Sequence, residues 1–276
     1  MLNTINYNSA MYNALGASTS LTPSAVEFNG YAMQTSEIII TKLVHENTPI
    51  RDFIRRARPY DNGQNILSDY WRTKTIVMEG VIKTSTAEEL DLKLDEFKKN
   101  ISGQRGTLNV EYGEGYRSYI CTLDSGQSMF DRQAHNITFL PFRLTFACDE
   151  PFGTDKNYTS IFYSGTSLVT TLSQTNSGSA VAKPIYTFNF SAASGVTNVL
   201  IENTTSGESI QYAGNITAPA LLEFNAEERE VTLNGIAVDY SGQFPGLVTG
   251  VNSVRITITG VSATYTFTAQ HKNAYL

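Results

Sequence analysis

The chain has 276 residues, of which 41% are hydrophobic and 17% charged, and this composition is typical of a folded globular protein. Its formal net charge of -6 argues against a dedicated nucleic-acid-binding protein, which would usually carry a surplus of basic residues. No run of about 18 apolar residues occurs, so the sequence predicts no membrane span.

Charged residues are unevenly distributed along the chain. Residues 1–153 hold 33 of the 46 charged side chains, whereas residues 154–276 hold 13 and are rich in Thr, Ser, Asn and β-branched residues. Pro151 and Gly153 interrupt the strand pattern where the composition changes. We therefore expect three parts: residues 1–25 as an N-terminal arm or disordered segment, residues 26–153 as a first domain, and residues 154–276 as a second.

The first part predicts several strands and one helix. Residues 38–44 form an apolar run typical of a strand, whereas "TPIRDFIRRARP" predicts a short helical turn closed by Pro59. The clearest helix begins after Thr86, which together with Glu89 has the pattern of a capping box. The apolar residues of this helix recur at spacings that line up one face: Leu90, Leu94, Phe97 and Ile101.

The second part shows no helical period. Short alternating runs are separated by Gly, Asn or Pro at intervals of about 8–12 residues, which is typical of an all-β sandwich or barrel. One such run places Tyr186, Phe188 and Phe190 on the same side of a strand. Exposed aromatic residues would suit stacking on sugars, but the pattern favours a row of core residues.

The titratable residues give little sign of a metal or cofactor site. His45, His135 and His271 are far apart in the sequence, and none has a second ligand at metal-binding spacing. Cys121 and Cys148 lie in strand-like segments, and we expect buried free thiols rather than a disulfide. The sequence therefore predicts no cofactor.

A run of acidic residues is a second candidate, in this case for a catalytic site. Glu227, Glu228 and Glu230 could supply the carboxylate pair of a glycoside hydrolase, but a charged hairpin tip is the commoner use of such a run. No nucleotide-binding motif and no motif of a serine nucleophile occurs. We therefore expect that the protein is not an enzyme.

A basic cluster is the sharper candidate for a site, and it consists of Arg51, Arg55, Arg56 and Arg58. On a short helix, Arg51, Arg55 and Arg58 would share a face suited to phosphate or to the carboxylates of a partner. The alternative is a solvated face whose arginines pair with nearby carboxylates, namely Asp52, Asp61 and Asp69. The residues themselves leave both interpretations open.

The stretch "SGQFPGLVTGVNSVRITITG" contains two predicted turns ahead of a strand. Between the turns lies a loop that we expect to be exposed at the periphery of its domain. Its candidate contact residues are Phe244, Pro245 and Leu247, and a neighbouring protein is a better candidate partner for them than a sugar.

Several motifs occur in a collinear series over about residues 26–276. They are "FNGYAMQTSEIIITKL", "ARPYDNGQNILSDYWRTKTIVMEGVI", "TAEELDLKLDEFKKNI", "GTLNVEY", "YRSYICTL", "CDEPFG", "KPIYTF", "VLIENTTSGESIQY", "LLEFNAEEREVTLNG" and "FPGLVTGVNSVRITITG". This series resembles the distal tail (Dit) proteins of long-tailed, siphovirus-type bacteriophages. Each motif alone is weak, and the order carries the resemblance. Residues 1–25 have no place in the family pattern, and Asn225 stands where family members often have Asp.

The resemblance implies a mainly β, two-domain fold. The N-terminal domain would be α+β and ring-forming, a β-sandwich or split barrel with one helix. The C-terminal domain would be a galectin-like or carbohydrate-module-like β-sandwich at the periphery. In such a ring, the arginines 51, 55, 56 and 58 are a candidate subunit-interface or channel patch, and residues 1–25 are a candidate arm onto a neighbour.

The implied function is structural. The resemblance implies a virion protein at the distal end of the tail, assembled in the bacterial cytoplasm, whose homohexameric ring connects the tail tube protein to the tail hub or tip protein. Receptor-binding or side-fibre proteins can dock on such a ring, and DNA passes only as cargo through its channel. The alternative expectation is a carbohydrate-binding or host-adhesion module of the tail.

Overall fold

The structure, a computed structural model, describes residues 25–45, 48–58, 62, 64–102, 105–112, 115–132 and 137–276. The predicted arm therefore lies outside the described residues except for Ala25. The described residues form one helix, α1 (Ala87–Ile101), and these strands: β1 (Ala25–Phe28), β2 (Tyr31–Ala32), β3 (Ile38–Val44), β4 (Arg51–Ala57), β5 (Gln64–Trp71), β6 (Thr75–Lys83), β7 (Gly106–Tyr112), β8 (Gly115–Leu123), β9 (Met129–Phe130), β10 (Phe139–Cys148), β11 (Gly153–Thr154), β12 (Thr159–Gly165), β13 (Val169–Asn176), β14 (Ile185–Ser194), β15 (Val196–Asn203), β16 (Glu208–Ile216), β17 (Ala220–Asn225), β18 (Glu230–Leu233), β19 (Ile236–Ala237), β20 (Ser241–Gly242), β21 (Gly250–Thr259), β22 (Ser262–His271) and β23 (Ala274–Tyr275). The predicted mainly β fold is confirmed.

The chain divides into two compact units. The N-terminal unit takes in the described parts of Met1–Asn47, Thr73–Tyr116 and Ile120–Asp149, and the C-terminal unit those of Thr48–Arg72, Arg117–Tyr119 and Glu150–Leu276. Residues 48–72 thus group with the C-terminal unit, although they precede most of the N-terminal one. The domain limits 26–153 and 154–276 stay a prediction.

The N-terminal unit is built on an antiparallel sheet with strand order β2-β1-β7-β8-β10-β6-β3. Helix α1 begins with the predicted capping box: Thr86 Oγ1 accepts a hydrogen bond from the Glu89 amide, and Glu89 Oε2 accepts one from the Thr86 amide, both at 3.2 Å. Its apolar face is buried at Leu90, Phe97 and Ile101. The Phe97 ring lies 5.1 Å from that of Phe142 in β10, so the helix packs on the sheet through an aromatic contact.

The two cysteines face each other across this sheet. Cys121 in β8 is paired with Cys148 in β10, and both side chains are buried as free thiols. A hydrogen bond to Cys148, together with burial, raises the pKa of the Cys121 thiol. The prediction of buried free thiols is confirmed.

The C-terminal unit contains two antiparallel sheets that share one core. Their strand orders are β12-β22-β14-β17-β18-β19 and β13-β21-β15-β16-β20. Apolar residues alternate with polar ones on most of these strands, so each sheet turns one face inward. Tyr186, Phe188 and Phe190 of β14 are buried in that core, so core packing rather than sugar stacking is their role.

Candidate interaction surface

Strands β4 and β5 form a separate two-stranded hairpin. They pair antiparallel from Arg51 opposite Trp71 to Ala57 opposite Gln64, and no other described strand joins them. The helical turn predicted for this segment is therefore wrong. Arginine and alanine have good helix propensity, but pairing with a second strand outweighs a local preference of this size.

The strand conformation also changes which arginines lie together. Alternate side chains of a strand point to opposite faces, so Arg51 and Arg55 share one face and Arg56 lies on the other. The guanidinium carbons of Arg51 and Arg55 lie 5.8 and 5.3 Å from the centre of the Phe53 ring on their face. Arg58 follows the strand and donates from Nε to Asn65 Oδ1 at 2.7 Å. The predicted common face of Arg51, Arg55 and Arg58 is not formed.

Charge pairing divides the hairpin into two halves. Near its base, Arg51 forms an ion pair with Asp69, and Arg72 forms one with Asp52. The hydrogen bond from Arg72 holds the pKa of the half-buried Asp52 carboxyl below its usual value. Toward the tip, Arg55 and Arg56 form no ion pair with a described carboxylate, and Asp61 lies outside the described residues. The described tip is therefore basic.

The hairpin exposes large apolar side chains on both faces. The exposed fraction is 63% for Ile50, 61% for Leu67 and 59% for Ile66, and Phe53, Ile54 and Tyr70 are exposed as well. Its base is held by Trp71, whose ring meets that of Phe152 edge-on at 6.0 Å. A lone two-stranded hairpin is only marginally stable in water, and a contiguous exposed apolar patch usually marks an interaction site.

The predicted peripheral loop around Phe244, Pro245 and Leu247 is more buried than expected. Leu247 is fully buried and Pro245 is buried, whereas Phe244 is half-buried and meets the Tyr240 ring at 5.2 Å. Leu247 also exchanges two backbone hydrogen bonds with Ala182, of 2.9 and 3.0 Å. The expectation of an exposed contact loop is therefore wrong for Pro245 and Leu247.

Buried asparagines explain why this loop is held inward. Asn252 Oδ1 accepts from the Val248 amide at 3.0 Å, and its Nδ2 donates to the carbonyls of Val248 and Gly250 at 2.7 and 3.0 Å. Asn203 Nδ2 donates to the Gly246 carbonyl at 2.7 Å and to Asn252 Oδ1 at 3.0 Å. The asparagine side chains thus replace water as partners of the loop backbone, which lets the loop pack against the core.

The acidic run lies at the tip of the β17–β18 hairpin, as expected for a charged hairpin tip. Glu227 and Glu228 are exposed in the turn between β17 and β18, and Glu230 begins β18. Glu227 Oε2 accepts a hydrogen bond from the Tyr158 hydroxyl at 3.1 Å. Burial, helped by the nearby Glu227 carboxylate, raises the pKa of Tyr158 to about 12.

His271 is a buried structural residue. Its Nδ1 accepts from Gln174 Nε2 at 2.8 Å, which assigns the ring proton to Nε2, the atom that lies 3.1 Å from the Thr175 carbonyl oxygen. His45 is buried in the other unit, and His135 lies outside the described residues. Within the described ranges, no group of three or more His, Cys, Asp or Glu side chains could hold a metal ion.

The burial of His271 predicts a loss of stability in acid. Burial lowers its pKa below the ordinary value of about 6.5, so the unfolded chain binds a proton more readily than the folded one. The free energy of unfolding should therefore fall as the pH drops below about 6.5, by up to about 1.4 kcal/mol per pH unit, until the folded-state pKa is reached. Urea unfolding measured between pH 7.5 and 5.5 should show that the free energy of unfolding falls less steeply with pH for His271→Gln than for the wild-type chain. Equal slopes for the two proteins would contradict this origin.

Comparison with known proteins gives a match to a family model and a similar fold among the solved structures. Residues 177–275 match the family described as siphovirus-type tail component, C-terminal domain (SPP1_Dit). The crystal structure of the Dit (gp 19.1) protein of phage SPP1, described as a paradigm of the hub adsorption apparatus in phages that infect Gram-positive bacteria, has a similar fold. The TM-score is 0.68 at 12% identity over 91% of this chain and 99% of that chain.

Other comparisons add no further argument. A protein in the structure of the phage P2 baseplate, in its activated conformation with Ca, gives a TM-score of 0.44 at 8% identity over 87% of this chain and 92% of that chain. A sequence search against curated proteins finds no match. Across the parts of the chain that the structure describes, no helix is long and apolar enough to cross a membrane.

Proposed function

We propose that this chain is a distal tail protein of a long-tailed bacteriophage, a structural component of the tail, and that six copies of it form a ring through the β4–β5 hairpin. The ring would connect the tail tube protein to the tail hub or tip protein and let DNA pass through its channel as cargo. The C-terminal units would offer docking surfaces to receptor-binding or side-fibre proteins. Assembly would take place in the bacterial cytoplasm.

The exposed apolar hairpin is the observation that carries the ring proposal. Ile54, Ile66 and Leu67 lie in its tip half with more than half of each residue's surface exposed to water. Removing apolar surface from water yields about 25 cal/mol per Å², so a neighbour that covered these side chains would stabilise both the hairpin and the contact. A ring supplies such a neighbour to every copy, because the contact is repeated head to tail around a closed circle.

The basic tip of the hairpin is complementary in charge to the acidic surface of a second copy of the chain. Arg55 and Arg56 form no ion pair with a described carboxylate, whereas the chain as a whole carries a net charge of -6. The surface of another copy therefore offers the carboxylates that these arginines lack. Opposite charge at the rim of an apolar contact favours the correct register and discourages other partners.

Charge reversal at the hairpin tip tests the ring. In sedimentation velocity and negative-stain electron microscopy, we expect the wild-type chain to form six-fold rings. Arg55→Glu combined with Arg56→Glu should shift it to monomers, because the introduced glutamates would repel the acidic neighbour. The control reverses two exposed lysines outside the hairpin, Lys83→Glu with Lys99→Glu, and should leave the ring intact. A wild-type monomer over a broad concentration range, or a double arginine variant that assembles normally, would overturn the proposal.

A further inference from the structure

The C-terminal unit has an unusual pair of sheet edges. β12 is the edge strand of one sheet and β13 the edge strand of the other, and the chain from Asn157 to Ala182, which contains both, has no charged residue and no proline. β13 pairs with β21 from Val169 to Asn176 without a register shift. Free edges are usually protected by lysine, proline or a bulge, because an unprotected edge pairs readily with another strand. Because this edge has no charged residue, no proline and no register shift, it is suited to pairing with a further strand.

The hydrogen bonds show which backbone groups of β13 are available. The Ile258 amide donates to the Leu168 carbonyl at 2.7 Å. In this register, every second residue after Leu168, beginning with Thr170 and Leu172, therefore also directs its backbone amide and carbonyl toward β21. The amides and carbonyls of Thr171 and Ser173 therefore point away from β21. No described strand lies on that side.

Two neighbouring carbonyls on the free side already have partners. The Thr175 carbonyl lies 3.1 Å from His271 Nε2, and the Val169 carbonyl accepts from Ser167 Oγ at 2.6 Å. Both hydrogen bonds are made by carbonyls that point away from β21, as the register of the strands requires. The available part of the edge is thus centred on Thr171 and Ser173.

The chain itself contains a segment with matching properties. Residues 1–24, which lie outside the described residues, have no charged side chain, and within them Ile5 and Tyr7 alternate with asparagine and threonine. Extended at about 3.3 Å per residue, this segment can span roughly 80 Å from the start of β1. An uncharged strand can lie beside the uncharged edge without burying a charge that has no partner.

We propose that the free edge of β13 is the docking site of the N-terminal segment, residues 1–24, which adds to the sheet as a further strand through the amides and carbonyls of Thr171 and Ser173. The added strand would also protect the edge against aggregation. This contact uses a surface other than the hairpin and does not depend on the six-fold ring.

Hydrogen exchange of the full chain tests the docking. The amides of Thr170 and Leu172 point toward β21 and should be protected in any case, whereas those of Thr171 and Ser173 are protected only if another strand pairs with them. We expect Thr171 and Ser173 to exchange at least about 100-fold more slowly than unstructured amides. Ile5→Pro combined with Tyr7→Pro should restore fast exchange at these two residues and leave Leu172 protected. Fast exchange in the wild-type chain, or protection that survives the prolines, would overturn the proposal.

Proteolysis tests the same contact by measuring the protection of the N-terminal segment rather than of β13. Chymotrypsin cleaves after exposed aromatic residues, and Tyr7 and Tyr12 lie in the segment. Thr171→Pro removes an amide that the docked strand would use, so cleavage at Tyr7 and Tyr12 should become faster. Thr171→Ala keeps that amide and should be cleaved at the wild-type rate. Equal rates for the proline variant and the wild-type chain would contradict the docking.

Discussion

Replacing Phe188 with alanine is expected to lower the free energy of unfolding of the C-terminal unit by about 4 kcal/mol. Phe188 is fully buried, and its ring centre lies 4.7 Å from that of Phe267 and 5.9 Å from that of Tyr265. The rings of Phe190 and Phe224 surround it further at 6.0 and 6.1 Å. A large ring removed from the middle of such a cluster leaves a cavity, because its neighbours belong to paired strands and relax only partly.

Urea unfolding at neutral pH measures this loss. The matched control is Phe162→Ala, because Phe162 has the same side chain on the edge strand β12 but is 67% exposed. That substitution should change the free energy of unfolding by less than about 0.5 kcal/mol. A loss below about 2 kcal/mol for Phe188→Ala would mean that the aromatic cluster closes around the missing ring.

Replacing Asn252 with alanine is expected to cost about 3 kcal/mol, although no apolar ring is lost. Its side chain accepts from the Val248 amide and from the side-chain Nδ2 of Asn203, and it donates to the carbonyls of Val248 and Gly250. Alanine would leave the partly buried groups of Val248 and Gly250 without this partner, and each unsatisfied group costs about 1–3 kcal/mol unless water reaches it. The loop should consequently loosen around Leu247.

Two measurements separate this effect from a general loss of stability. Urea unfolding should show the full cost for Asn252→Ala and almost none for Asn189→Ala, because Asn189 is exposed on a central strand. Hydrogen exchange should show faster exchange at the Val248 and Leu247 amides in the Asn252 variant under native conditions. If these amides stay as protected as in the wild-type chain, the asparagine does not hold the loop.

The elements predicted from local patterns agree well with the structure. The helix after Thr86 has its capping box and its buried face, and the strand predicted at residues 38–44 is β3. The row of Tyr186, Phe188 and Phe190 lies in the core as expected. These features depend on residues within a few positions of one another, which is why a linear pattern is enough to recognise them.

The candidate sites were harder to predict, because they depend on distant partners. The arginine segment has good helix formers, yet it pairs with the strand from Gln64 to Trp71 and so becomes the first strand of a hairpin. The loop at Leu247 has the turn residues of an exposed loop, yet Asn203 and Asn252 bring it inward. A signal was present, since Asn252 stands in the alternating inward row that continues with Val254 and Ile256. Polar residues in such a row satisfy buried backbone groups.

By itself, the sequence determined the mainly β architecture, the capped helix, the free thiols and, through the order of its motifs, the resemblance to the distal tail protein family. These depend on the period of apolar residues, on short-range caps and on collinear order, all of which can be recognised along one chain. Only the tertiary structure decided that the arginines stand on an exposed apolar hairpin and that Leu247 is buried. Both outcomes depend on pairing between segments far apart in the chain, and its energy comes from hydrogen bonds and burial that no local pattern contains.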